Sequence, residues 1–269
     1  MDKADDLADA ITRKGHSYIR PVGRALLLST FAEDGIRMFF QWGEQTTYIM
    51  HTWGTISLLA KLFVLFNLVC QLVPVGVLLS PLNKTFKKAA IGSLAAVMVV
   101  QTIAYTVLWN ASFFLRNFAV SGALILLLAE CLDDNVSRSM FAGVPDMGGI
   151  QRGDWLQASG RILVTFMVFT LVHFKRVTFV SLLFDLVAMV LAIMVALGFK
   201  TKTAALALVC LLQLENFTIN DFYTEYTNSA QYDFKKYDFF QTETTIGGLL
   251  MVVALGPGGV SFDQGKKWE

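Results

Sequence analysis

Residues 29–42 read STFAEDGIRMFFQW, and the way they are read decides the fold. Apolar residues run from Val22 through Phe31 and resume at Ile36, Met38, Phe39 and Phe40, with Glu33, Asp34 and Arg37 between them. A stretch of this kind has the ~20 residues that cross the hydrocarbon core of a bilayer. An ionisable group there costs ~2.5–3.5 kcal/mol on insertion scales, so it faces protein or a water-filled cavity. Arg37 follows Glu33 by four residues and Asp34 by three, which puts both carboxylates within reach of one guanidinium on one helical face. Two readings stand side by side. Either the charges neutralise one another where the helix packs on its neighbours, or they form a recognition site within the membrane. Two negative charges against Arg37 leave one carboxylate spare, to be protonated or to hold a cation from elsewhere.

The composition suits a membrane setting. The 269 residues are 55% hydrophobic and only 16% charged, whereas a soluble domain is about a quarter charged. A net charge of +1 gives no electrostatic case for nucleic acid. Cys70, Cys131 and Cys210 lie far apart with no metal-ligand spacing, and Cys70 and Cys210 sit in apolar runs as small core residues. No metal, haem, disulfide framework or other cofactor is expected. There is no nucleophile elbow, P-loop or His/Cys cluster, so catalysis is not expected either.

With ~20 residues per crossing, the chain divides into eight candidate spans: Pro21–Trp42, Ile56–Leu79, Ala89–Trp109, Phe113–Ala129, Ala158–Phe174, Val177–Phe199, Ala204–Tyr223 and Ile246–Val260. A count of six or seven is the competing division. Lys and Arg arbitrate, because cytoplasmic loops collect them. With both termini cytoplasmic and eight spans, 15 of the 22 Lys and Arg fall on the cytoplasmic side and 5 on the far side, with Arg37 and Lys61 inside spans. The preceding segment, residues 1–20, has four aspartates and no apolar run of signal-peptide length. Leu7, Ala8, Ala10 and Ile11 predict a short amphipathic helix there, its partner unreadable between membrane and protein.

An internal repeat favours the even count. Gly23-Arg24 opens the first span as Gly160-Arg161 opens the fifth, and Phe113-Phe114 with Ser121-Gly122-Ala123 matches Phe239-Phe240 with Gly247-Gly248-Leu249. Basic, Ala-rich connectors begin spans that run to Gln101 and Gln213. The expected architecture is therefore an all-α polytopic membrane protein: a cytoplasmic segment 1–20, a first four-helix half 21–130, a cytoplasmic linker 131–157, a second similar half 158–261 and a cytoplasmic tail 262–269.

Two further features carry chemistry. Lys266 and Lys267 stand four and three residues from the end of the tail GKKWE, the spacing of a dilysine retrieval signal; membrane-surface attraction of two lysines is the plainer alternative. Between Glu215 and Glu243, acidic residues interleave with aromatics, among them Tyr237 and Asp238. They suit either an interfacial aromatic belt or a pocket for an amine and an apolar side chain. The sequons at Asn110 and Asn216 lie too near the membrane for modification.

STFAEDGIRMFFQW, QTIAY (Gln101–Tyr105), SMFAGVP (Ser139–Pro145), GFKTK (Gly198–Lys202) and KYDFFQTETTIGGLLMVVALGPGGVS (Lys236–Ser261) together resemble the surfeit locus protein 4 family. The resemblance implies a cargo receptor of the endoplasmic reticulum, the intermediate compartment and the early Golgi. Such receptors bind soluble secretory proteins in the lumen, favouring an exposed amino terminus. They leave in coat-protein-II vesicles and return with coatomer through a dilysine tail, here Lys266 and Lys267. It assigns no cargo-contacting residues; Glu33, Asp34, Arg37, Tyr237 and Asp238 are candidates on the charge argument alone. A solute transporter, or more remotely a membrane redox enzyme, is the competing class.

Overall fold

The computed structural model describes residues 2–105, 111–132, 152–171, 179–227, 229–256 and 258–265. Among these there are 11 α-helices and no strand: α1 (Asp2–Leu27), α2 (Ser29–Phe40), α3 (Trp42–Trp53), α4 (Ser57–Leu79), α5 (Lys84–Ala104), α6 (Ala111–Leu132), α7 (Arg152–Leu171), α8 (Phe179–Leu197), α9 (Thr201–Ile219), α10 (Ala230–Leu255) and α11 (Phe262–Gly265). A short 3-10 turn, Phe222–Thr224, precedes α10. The segment SMFAGVP, most of the linker, and Lys266 with Lys267 lie outside the described residues.

Each expected span overlaps a helix, in order. Four segments are long and apolar enough to cross a membrane by length and composition: Ser57–Leu79, Lys84–Ala104, Phe114–Leu132 and Thr201–Thr224. α8 contributes a shorter apolar stretch, Leu182–Leu197, and the other long helices fall short for identifiable reasons. α10 carries Asp233, Lys235, Lys236, Asp238 and Glu243, α7 carries Arg152, Asp154 and Arg161, and the first span is divided.

That division corrects the expected single helix Pro21–Trp42. At Leu28, α1 gives way to α2, because Thr30 turns its N–H to the Thr244 hydroxyl at 3.3 Å and its own hydroxyl to the Phe240 carbonyl at 3.0 Å. A partner on α10 thus competes for the backbone. A second interruption falls at Gln41 (φ −97°, ψ 30°), after which α3 runs on to Gly54. Trp42, expected to close the span, opens α3 instead. The segment before Pro21 is no separate helix either, since α1 continues through that proline into the span.

The last span is also longer than its apolar pattern. It begins at Ala230, where the Ser229 hydroxyl accepts the Tyr232 N–H at 3.2 Å, and it stops at Gly256 (φ 87°). The polar run before Ile246 lies outside the expected span. It is interior: Gln241, Thr242, Glu243, Thr244 and Thr245 are all buried.

Two close helix crossings hold the bundle. α6 packs on α7, and α1 packs antiparallel on α10. A Cβ at Gly122 would meet Leu163 Cβ at 2.4 Å, Val164 N at 3.0 Å and Gly160 O at 3.1 Å; one at Gly247 would meet Leu27 N at 2.2 Å, Gly23 O at 2.7 Å and Leu26 C at 2.8 Å. Only glycine permits either approach. Gly23, Leu26 and Leu27 correspond to Gly160, Leu163 and Val164 at one constant spacing. Gly122 corresponds to Gly247 rather than to Gly248, a register one residue from the one the Phe-Phe pairs suggest.

At one end of the bundle the two terminal segments meet. The Asp263 carboxylate caps α9, accepting from the N–H groups of Lys200 (2.8 Å) and Thr201 (2.9 Å) and from the Thr201 hydroxyl (2.8 Å). From α1, Asp5 pairs with Lys200 and accepts from the Thr203 hydroxyl at 2.7 Å, and Asp9 pairs with Lys202 at 2.8 Å. Leu27, Leu28, Leu78, Leu94, Leu126 and Leu249 are fully buried between the helices, while α4 and α8 turn Leu62, Phe66, Val73, Leu186 and Val190 outward. An outward apolar surface of this kind faces lipid. Cys210, expected in the core, is on the exposed side.

Candidate functional site

A cavity of about 730 Å³ opens at the end of the bundle opposite the termini. α2 supplies Thr30, Phe31, Glu33, Asp34, Arg37 and Met38; α3 supplies Glu44, Gln45 and Tyr48; α10 supplies Asp233, Phe234, Tyr237 and Gln241. Gln71, Met98, Gln101, Tyr105, Asn117 and Val120, from α4 to α6 and the residue closing α5, complete the wall. Exposed Glu44, Tyr48 and Phe234 stand at the mouth. One to two turns toward the termini, Leu27, Leu28, Val75, Leu78 and Leu94 are buried and form a dry layer.

The break at Leu28 positions the acidic pair, because α2 docks on α10 and α4 with Glu33 and Asp34 facing inward. Asp34 accepts from Arg37 and, through Oδ2, from Gln71 Nε2 at 2.6 Å and Gln101 Nε2 at 2.9 Å. Three helices therefore hold one carboxylate. Glu33, 5% exposed, lies 3.3 Å from Lys236 Nζ and 3.9 Å from Arg37 Nε. The spare carboxylate expected from the local sequence is thus matched by a lysine from α10, which no local spacing reveals. A surplus of acid reappears at the level of the cavity. Glu33, Asp34, Glu44 and Asp233 line it, and Arg37 is the cation among the described lining residues.

Of the five nominated residues, Glu33, Asp34, Arg37 and Tyr237 border the cavity together. Asp238 does not. It pairs with Arg116 on α6, whose guanidinium lies 5.8 Å from the Tyr237 ring centroid, so it fixes the wall from behind. The acidic and aromatic run also divides. Phe222 packs edge-on against Tyr232 and Phe239 at 5.7 and 5.2 Å, a structural cap, and Lys235 bridges Asp221 and Glu225 at 2.7 Å each. Only Asp233, Phe234 and Tyr237 from that run reach the cavity.

Gln71, Tyr48, Asn117 and Lys236 are contributions that sequence reasoning missed. Gln71 carried a readable signal, one of two amides (with Asn67) in an apolar span, where an unpaired polar group is costly. Gln71 and Gln241 are buried lining residues whose Oε1 atoms have no hydrogen-bond partner among the described residues. A second buried carboxylate, Glu243, accepts from Gln213 Nε2 at 2.9 Å and Asn216 Nδ2 at 2.8 Å, which removes Asn216 from any role as a glycosylation acceptor. Among the described residues no group of three His, Cys, Asp or Glu is placed to hold a metal ion.

Fold and site together define a multi-helix membrane protein with an acidic, aromatic-walled cavity open at one end. The SURF4 family profile matches residues 1–268, and the chain belongs to that family. It is 44% identical to the surfeit locus protein 4 homolog of Drosophila melanogaster over 98% of this chain and 96% of that one. The Schizosaccharomyces pombe homolog is 35% identical over 93% and 82% of the two chains. The Saccharomyces cerevisiae ER-derived vesicles protein ERV29 is 31% identical over 96% and 80%. No solved structure matches.

Proposed function

We propose that the chain is a cargo receptor of the early secretory pathway. It binds soluble secretory proteins by an exposed amino terminus on the luminal side of the endoplasmic reticulum membrane and promotes their export toward the Golgi. The observation that carries this reading is the cavity, in which Glu33, Asp34 and Arg37 share one space with Tyr237 and four further aromatic residues, Phe31, Tyr48, Tyr105 and Phe234. A protonated amine brings positive charge and N–H donors. Four lining carboxylates and the unused Oε1 atoms of Gln71 and Gln241 offer acceptors, and the aromatic walls suit the apolar side chain that follows the amine.

The relative named for ER-derived vesicles supports the compartment. The meeting of Asp5 and Asp263 at Lys200–Thr203 supports an even number of crossings, with both termini on one side. The 15-to-5 charge split supports a cytoplasmic placement of that side and a luminal cavity mouth. The matched Gly23–Gly247 and Gly160–Gly122 crossings support two similar four-helix halves. Eight spans satisfy all three observations. Coat-protein-II vesicles then carry the receptor outward, and coatomer retrieves it through Lys266 and Lys267.

The apolar layer of Leu27, Leu28, Val75, Leu78 and Leu94 closes the cavity toward the termini, which suits a receptor open at one face. The test is Glu33→Gln and Asp34→Asn, read for receptor abundance and for intracellular retention of secretory proteins. Retained cargo at matched receptor abundance is expected. Normal abundance with normal secretion in both variants contradicts the proposal.

A further inference from the structure

The N-terminal half of α1 is larger than the function above requires, and its exposed face is apolar. We infer that this half of α1 is an interfacial helix whose Leu7, Ile11 and Tyr18 embed in the lipid leaflet on the side of the termini.

Placement comes first. Arg24 pairs with Glu130 at 2.6 Å and reaches the Leu78 carbonyl at 3.5 Å, so it sits where α4 and α6 end. Asp5 and Asp9, earlier in the same helix, pair with Lys200 and Lys202 where α9 begins. Both anchor points are helix ends on one side of the bundle. At ~1.5 Å per residue, the helix between them leans across that end for more than a bilayer headgroup layer. It does not project free into water.

Facing follows from the helical period. Leu7, Ile11, Tyr18 and Val22 recur on one face and are 61%, 46%, 72% and 48% exposed. Val22 lies at the entry of the first span, so its exposed face there meets lipid; a continuous helix carries the same face outward to Leu7. The adjacent face holds buried Ala8 with Asp5 and Thr12 against the bundle. Asp6, Arg13 and Ser17 are exposed on the remaining side, toward water, and exposed Lys3 and Lys14 flank the apolar stripe, where long cationic side chains reach phosphate headgroups. Water cannot be the intended surface for three large apolar residues in register, and the continuity with Val22 names lipid as their cover.

The test uses full-length protein in phosphatidylcholine nanodiscs, with Cys70, Cys131 and Cys210 replaced. Single cysteines at Leu7, Ile11 and Tyr18, and at Asp6, Arg13 and Ser17 as controls, carry an environment-sensitive fluorophore. Lipids bearing a nitroxide near the headgroup should quench the first three several-fold more than the controls, and aqueous iodide should show the opposite order. Equal iodide quenching at all six positions overturns the inference. Shielding of the first three from both quenchers also overturns it, because protein rather than lipid would then cover the stripe. Size-exclusion profiles matching the parent exclude misfolded variants from the comparison.

Discussion

Lys236, early in α10, places its ammonium 3.3 Å from the buried carboxylate of Glu33 on α2. This ion pair joins two helices from opposite ends of the chain at the wall of the cavity. Breaking a fully buried pair costs roughly 3–5 kcal/mol, mostly through the charge left behind. Lys236 retains 22% side-chain exposure, so the cost here lies toward the lower end. Lys236→Met is expected to lower the thermal midpoint of the detergent-solubilised protein, and adding Glu33→Gln to restore most of it. A double variant no better than Lys236→Met alone would show that the two side chains are not coupled.

The glycine crossings give a second prediction. A methyl group at Gly247 would stand 2.2 Å from the Leu27 amide nitrogen and one at Gly122 2.4 Å from Leu163 Cβ, whereas one at Gly92 within α5 meets nothing within 4 Å. Gly247→Ala and Gly122→Ala should reduce the folded fraction sharply in size-exclusion profiles. Gly92→Ala should leave it unchanged or raise stability by about 0.5–1 kcal/mol. Equal tolerance at the three positions would deny the close approach.

These two features mark how far the sequence could be read. Charge within an apolar stretch singled out Glu33, Asp34 and Arg37, and the Gly23/Gly160 match marked two positions that prove to lie at equivalent crossings, because each signal is local or repeats itself. Lys236 was beyond reach, since its partner is fixed by the packing of α10 on α2 and by no spacing along either helix. The start of α10 was misplaced for a related reason. A buried polar run such as Gln241–Thr245 has the composition of an exposed one, and only the neighbours that satisfy it tell them apart. The break at Leu28 likewise originates in Thr244, on another helix.

Docking of the N-terminal helix should be insensitive to mild acid. Hydrogen bonds from Lys200 and then Thr203 hold the Asp5 carboxyl below its usual range. A group whose folded value is depressed stabilises the docked state above its unfolded value and loses that contribution only as pH falls through the lower one. Hydrogen-exchange protection over residues 3–14 should therefore hold from neutral pH down to roughly pH 4, and Asp5→Asn should lower it at neutral pH. A decline across the mildly acidic range in the parent protein would contradict this.

The tail prediction follows from position. On the proposed dilysine reading, Lys266→Ser with Lys267→Ser should shift the steady-state distribution toward the Golgi without changing abundance, and adding several residues after Glu269 should do the same, because a signal of that kind is read by its distance from a terminal carboxylate. Unchanged distribution in both forms would reduce the lysines to surface charge.

The central claim is that secretory cargo enters the cavity by its amino terminus. Its most direct test is a photo-crosslinking residue placed at Phe234 in the mouth and, separately, at Leu62 on the lipid-facing side of α4. In intact microsomes, position 234 should capture a soluble secretory protein with a free amino terminus, and capture should fall at least several-fold when that terminus is acetylated or when the receptor carries Asp34→Asn; position 62 should capture none. Capture at 234 that is indifferent to the cargo's amino terminus, or equal capture from 62, would contradict the account.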